Sequence, residues 1–318
     1  MWFAEDYVGN ERWVHRFSSD EIAQLAQAAT HHSEVPLASL KAEYFPLQSL
    51  AVTFTNLRQE IIDGRGFVLL RGLPVAQWPI WLTARVYYGI GCHLGEAVPQ
   101  NAAGHLLGHV KDLGEDPADP VTRIYQTSYR QPFHTDSADF GGLLCLQTAR
   151  RGGESAIASS TSAFCVMAEE CPDLLEVLCQ PFIVDRKDEI PPGKAPTYQM
   201  AVFHRHAEKI TCIYARDFIE AAQRFADVPR LRKKQIEAMN FLDQLVASDR
   251  LRLDMAFEPG DIQFLHNHQI LHSRTTYEDW PQIERRRHLL RLWLSVSYTH
   301  LRAHETREDR GWRRVGGK

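Results

Sequence analysis

Residues 123–159 read RIYQTSYRQPFHTDSADFGGLLCLQTARRGGESAIAS, and this stretch carries the texture that decides the fold. Residues 143–148 and 155–159 are short apolar or alternating runs of strand length. The pair Gly152-Gly153 between them supplies a hairpin turn. Residues 123–128 read as a further strand just upstream. Similar runs follow at 182–186, 200–204, 210–214, 251–257, 262–265 and 288–295, and two helical inserts interrupt them at about 161–179 and 230–247. Many short strands at even spacing, with turn residues between, predict a closed or double-sheet β fold.

Upstream the texture is helical. Ser18 and Glu21 form a capping box that opens a helix running to about Ala29, and a second helix spans about 50–63 before Gly64. Gly66-Phe-Val-Leu-Leu-Arg71 is a short apolar strand. Trp81, Val86, Tyr87 and Ile90 then recur at helical spacing. No repeat or Pro/Gly/Ser-rich linker divides the chain. The expected architecture is therefore mainly β with flanking helices (α+β). It is one domain over 1–295, with a helical part at about 1–107 and a β core at about 108–295.

The 318 residues are 44% hydrophobic and 24% charged, enough for a sizeable core, and the net charge of −4 gives no electrostatic reason to expect nucleic acid. No apolar run approaches the length of a membrane span, so no membrane partner is expected. Acids at Glu5 and Asp6 stand where a secretory signal needs a basic start, which predicts a cytoplasmic protein. Six cysteines are scattered without a C-x-x-C pair, which excludes the common zinc and dithiol spacings. Residues 296–318 break the pattern: charge crowds in, apolar periodicity stops, and the run resembles translated sequencing-adapter sequence. This tail is expected to be non-native, and its His300 and His304 are not taken as ligands.

Within the opening stretch, His134-Thr135-Asp136 places an imidazole and a carboxylate two residues apart, on the same side of a strand. Two such imidazoles and one carboxylate hold a non-haem Fe(II) and leave its other face open. A third ligand has three candidates in one downstream segment, His266, His268 and His272, which share strand parity. Beyond them come Arg287 and Arg291. Leu289, Leu290, Leu292, Trp293 and Leu294 surround Arg291, so this strand is expected to be buried, and a buried arginine requires an anionic partner. Arg285 and Arg286 read as surface residues. Tyr125, Phe133, Phe140, Tyr198 and Phe203 are core candidates, of which one or two line a pocket; Arg130, Asp139 and Arg274 near the motifs suit a polar ligand.

Five motifs in order, Phe133-His-Thr-Asp136, Gly152-Gly-Glu-Ser155, Pro259-Gly-Asp261, Leu271-His-Ser-Arg274 and Arg286-Arg-His-Leu-Leu-Arg291, resemble those of the taurine dioxygenase-like (TauD/TfdA) family over about residues 60–295. The resemblance implies a double-stranded β-helix (jelly roll) and an Fe(II)/2-oxoglutarate-dependent dioxygenase, with 2-oxoglutarate and O2 as co-substrates. It implies His134, Asp136 and His272 as both the catalytic centre and the metal ligands. It further implies that Ser155 touches the 2-oxoglutarate carboxylate and that Arg287 pairs with it. Arg291, four residues on with the same strand parity, is the alternative for that carboxylate, and whichever arginine does not bind it supports the pair or serves the substrate. The implied reaction hydroxylates an aliphatic carbon of a small polar or acidic molecule and releases succinate and CO2. Because Asp136 retains its carboxylate, hydroxylation is favoured over halogenation. Two other readings use the same residues: a zinc-dependent hydrolase on a β-barrel, and a non-catalytic barrel that binds a small acid. The first leaves Arg287 and Arg291 without a task.

Overall fold

The computed structural model describes residues 1–101, 103–206 and 209–296. Its centre is a pair of sheets. The larger has seven strands in the order Val14–Arg16, Phe67–Arg71, Ile262–His266, Phe140–Gln147, His288–Ser295 and Glu96–Ala97, with Leu107–Val110 also paired to His288–Ser295. The smaller has four, in the order Leu253–Met255, Ser155–Ser159, Ile270–Arg274 and Gln131–His134. Apart from the parallel Val14–Arg16 edge, the pairings in both sheets are antiparallel. The inner faces meet where Phe67 and Leu265 of the large sheet pack with Ile157, Leu253 and Ile270 of the small one. This is the double-sheet β fold expected from the strand spacing, and the jelly roll that the family resemblance implies.

Strand parity explains which residues reach the interior. On the His288–Ser295 strand, Leu290, Leu292 and Leu294 join the outer core under the helices Ser19–His31, Leu50–Ile62 and Ile80–Leu94. The odd positions Arg291 and Trp293 point the opposite way. On Ile270–Arg274, Leu271 packs outward against the helices Ser160–Glu170, Pro172–Leu178 and Lys233–Val246, together with Ala156 and Ala158 of the neighbouring strand. Ile270 joins the core between the sheets, and His272 and Arg274 share its parity. Burial of these outer faces supplies most of the stabilisation, at roughly 25 cal/mol per Å² of apolar surface.

Three local expectations are corrected. Gly152-Gly153 does not close a hairpin: the strands on either side, Phe140–Gln147 and Ser155–Ser159, lie in different sheets, and Arg151–Gly152 pairs with Tyr277–Glu278 instead. Residues 123–128 are not a strand: Ile124–Gln126 is a 3-10 turn, closed by the Thr127 hydroxyl donating to the Ile124 carbonyl. The paired strand lies just beyond, at Gln131–His134. The insert at 161–179 is two helices rather than one, broken at Cys171 because the residue before Pro172 disfavours helical geometry. The Ser18–Glu21 capping box forms as read, the Ser18 hydroxyl accepting from the Glu21 amide at 3.3 Å and Glu21 accepting from the Ser18 amide at 2.8 Å. Of the tail read as non-native, Val296 packs in the outer core, whereas 297–318 lie outside the described residues. Strands from both the helical part and the β core share the large sheet.

Candidate metal centre and co-substrate site

His134 ends one strand of the small sheet, and His272 sits directly opposite it in antiparallel register. Their rings are 4.1 Å apart, centroid to centroid. Asp136 follows two residues after His134, its Oδ1 lying 4.0 Å from His134 Nε2 and its Oδ2 3.9 Å from His272 Nε2. Among the described residues these three are the group of metal-ligating side chains that converges, with donor atoms within 4.8 Å of one another. Donor atoms this close could hold one ion between the three side chains. The donor set, two imidazoles and a carboxylate, fits ferrous iron.

The surrounding hydrogen bonds prepare this geometry. His134 Nδ1 lies 2.9 Å from the Pro132 carbonyl, which only accepts; Nδ1 therefore carries the proton and Nε2 presents its lone pair. The Gln131 side-chain amide donates to that Nε2 at 2.9 Å, a hydrogen bond that a bound metal would displace. Trp293 Nε1 donates to Asp136 Oδ2 at 2.9 Å, and the Asp136 amide donates to Asn267 Oδ1 at 3.1 Å. Asn267 in turn donates to the Ala138 carbonyl, which fixes the bend carrying Asp136 away from the strand. Burial by itself raises the Asp136 pKa, but Arg291, the two histidines and the Trp293 bond together outweigh it, leaving the carboxyl below its ordinary value. His272 is pushed down to about 3 by burial and the neighbouring His134, against the pull of Asp136, so it stays neutral and able to ligate.

His266 and His268, which the sequence left in competition with His272, do other work. His266 is fully buried and held neutral, its pKa down at about 3 through burial and then His268. His268 Nε2 reaches Asp139 Oδ1 at 3.3 Å. Asp139 also accepts from the Ser295 hydroxyl and the Val296 amide, so it braces the end of the long strand. Arg130 is exposed.

The two arginines occupy different places. Arg291 Nη1 points at Asp136 Oδ1 from 3.9 Å, its Nε donates to Gln100 Oε1 at 2.7 Å, and its guanidinium lies between the Tyr125 and Trp293 rings. Arg287 is only 4% exposed, and its Nη1 has no hydrogen-bond partner. It rests on the Gly152-Gly153 turn: a Cβ on Gly153 would meet Arg287 Nε at 3.0 Å, and one on Gly152 would meet the Thr276 carbonyl at 2.2 Å. Both glycines have φ near +75°, at +74° and +78°, the left-handed region that glycine enters freely. Ser155 emerges two residues later, buried, and pairs in register with Arg274. Arg274 is itself 5% exposed; burial and then the nearby Arg287 charge lower its pKa to about 10.

A cleft opens onto the metal ligands, lined by Tyr125, Tyr198, Arg291 and Trp293, with Arg123 and Glu189 further out. Arg123 and Glu189 are paired at 2.6 Å. Tyr125, Tyr198 and Phe133 thus line the cleft, Phe133 also packing in the core behind it, whereas Phe140 and Phe203 are core. Trp293, Asn267 and Gln131 were not recognised as site residues in the sequence. The signal available for Trp293 was its parity with Arg291.

The chain matches the model of the family described as taurine catabolism dioxygenase TauD, TfdA family over residues 31–293, and it belongs to that family. It is an Fe(II)/2-oxoglutarate-dependent oxygenase. It is 29% identical over 304 residues to FR-33289 synthase of Streptomyces rubellomurinus, covering 93% of this chain and 89% of the relative. It is 31% identical to the taurine hydroxylase-like protein SAT17 of Stachybotrys chartarum, covering 92% of this chain and 77% of that one. Among solved structures, an asparagine oxygenase in complex with Fe(II), 3-hydroxyasparagine and succinate superposes with a TM-score of 0.67 at 17% identity, over 89% of this chain and 94% of the other. No helix among the described residues is long and apolar enough to cross a membrane.

Proposed function

We propose that His134, Asp136 and His272 hold Fe(II), and that Arg287 with Ser155 receives the far carboxylate of 2-oxoglutarate. We further propose that the product is a small polar or acidic molecule hydroxylated at an aliphatic carbon. The observation that carries this reading is the difference in role between two buried arginines, Arg291 within the His288–Ser295 strand and Arg287 just before it. Arg291 is turned toward the metal ligands, whereas Arg287, four residues earlier, is buried with an unpartnered Nη1. A buried guanidinium to which no acid is hydrogen-bonded calls for an anion. When bound, Fe(II) with 2-oxoglutarate and O2 supplies the oxidising power that places one oxygen atom in a C–H bond, releasing succinate and CO2.

The protein's own share is placement. Trp293 and Asn267 hold the Asp136 carboxylate and backbone in a fixed orientation. Gln100 fixes Arg291 so that its charge stays beside the metal ligands and the co-substrate's near end. Tyr125 and Tyr198 form apolar walls with polar tips over the open side of the site, and the Arg123–Glu189 pair lies further out. These groups suit a small substrate bearing polar functions. The asparagine oxygenase complex, with a hydroxylated amino acid and succinate, supports that size and chemistry. The described residues contain six free cysteines, which fits a reducing cytoplasmic setting, and the large sheet shared by the N-terminal part and the β core supports one domain over 1–295.

The test is succinate release from protein purified anaerobically and supplied with Fe(II), 2-oxoglutarate and O2, across a panel of small carboxylates and amino acids. Substrate-stimulated succinate that is lost in Arg287→Ala and Asp136→Ala is expected. Absence of succinate with every mixture, or unchanged succinate in Asp136→Ala, overturns the assignment.

A further inference from the structure

Arg274 lies two residues beyond His272 with the same strand parity, and the family resemblance gives it no task. Its Nη2 donates to the carbonyls of Thr127, at 3.0 Å, and Tyr129. Its Nε and Nη1 are buried without a hydrogen-bond partner, as are Arg287 Nη1 and the Tyr277 hydroxyl. The two guanidiniums lie over the same Tyr277 ring, 4.8 Å and 5.1 Å from its centroid. Two cations are thus held against one aromatic residue inside the protein.

Neighbouring acids offset these two charges only in part. Asp279 accepts from the Arg287 backbone amide through Oδ1 at 2.7 Å, and its Oδ2, buried without a hydrogen-bond partner, adds one negative charge beside Arg287 that makes no hydrogen bond to either guanidinium. Glu154 accepts from the Thr275 hydroxyl, and Asp112 accepts from the Gly114 amide. An uncompensated buried charge is strongly destabilising, and two adjacent ones repel as well. Four orphaned donors in one cluster, beside the buried hydroxyl residue Ser155 that pairs with Arg274, match the needs of a carboxylate.

We propose that Arg274 is a second arginine at the far-carboxylate end of the 2-oxoglutarate site, receiving that carboxylate together with Arg287 and the Tyr277 hydroxyl. The proposal rests on the reading of Arg287 given above and adds a residue that decides co-substrate specificity. Because Arg274 also grips the Thr127 and Tyr129 carbonyls, the same guanidinium ties the bound anion to the segment leading into the Gln131–His134 strand.

The experiment is calorimetric titration of the Mn(II)-loaded full chain with 2-oxoglutarate and with pyruvate, which lacks the far carboxylate. Wild-type protein is expected to prefer 2-oxoglutarate strongly. Arg274→Gln is expected to weaken 2-oxoglutarate by about tenfold or more, the loss of one charge-assisted contact, and to leave pyruvate within about twofold. Equal weakening of both ligands, the signature of a role confined to the 127–129 carbonyls, overturns the proposal, and so does no weakening of either. Should Arg274→Gln fail to fold, Arg274→Lys decides. It keeps the charge but not the fork, so 2-oxoglutarate is expected to weaken several-fold with pyruvate unchanged, and unaltered 2-oxoglutarate binding overturns the assignment. Wild-type protein that does not distinguish the two acids would refute the 2-oxoglutarate reading itself, a separate outcome.

Discussion

Removing the hydrogen bond from Trp293 to Asp136 should loosen the metal without unfolding the protein. The indole Nε1 sits 2.9 Å from Asp136 Oδ2, and the carboxylate is almost wholly buried, with 12% of its side chain exposed. A hydrogen bond to a charged group contributes roughly 1.5–3 kcal/mol, and loss of a bond that orients a metal ligand costs roughly 10–100-fold in metal affinity. Trp293→Phe keeps the aromatic wall and removes only the donor. Asp136 would then keep the Arg291 charge and the adjoining histidines but swing more freely about its side-chain torsions. The assay is anaerobic titration with Fe(II), or with Mn(II) as a stable substitute, alongside thermal unfolding of the metal-free protein. A Kd raised by about 10–100-fold with little change in metal-free Tm is expected. A metal Kd within about twofold of wild type would refute the reasoning, because the bond would then do nothing to orient the ligand.

Other consequences follow from the same geometry. Gly153→Ala forces a Cβ into a φ of +78° and to within 3.0 Å of Arg287 Nε, so it should raise the KM for 2-oxoglutarate several-fold while metal affinity stays put. His266 is held neutral with a pKa of about 3, below its ordinary value, so its contribution is present above about pH 6.5 and is lost as pH falls toward 3. In that window metal-free protein should lose up to about 1.4 kcal/mol per pH unit from this residue, and His266→Gln should flatten the measured slope. Asp261 pairs with Arg71 through two hydrogen bonds, at 2.9 and 2.7 Å, with its side chain fully buried. Asp261→Ala should cost about 3 kcal/mol, the low end for a broken buried pair because Glu258 still reaches Arg71, and lower Tm by roughly 5 °C.

The strand texture after residue 108 was readable because each short run is bounded by turn residues and has one outward apolar face. Local chemistry misled where a segment alternates like a strand but spends its backbone elsewhere. Thr127 closes a 3-10 turn and lends its carbonyl to Arg274, so residues 123–128 never pair. His266, His268 and His272 are equivalent by spacing and distinct only in space. Strand register puts His272 opposite His134, whereas His266 falls opposite Phe140 on the other sheet.

By itself, then, the order of residues determined the fold class, the His-x-Asp pair and the presence of arginines that must meet an anion. Those properties follow from periodicity, spacing and the cost of burying charge, all of which are local. Tertiary structure decided the partners: Trp293 on Asp136, Arg291 beside the metal ligands, and Arg274 with Arg287 over one tyrosine. These contacts join residues far apart in the chain and on different sheets. Only the packing of the sheets, face to face and in one register, brings such side chains within bonding distance.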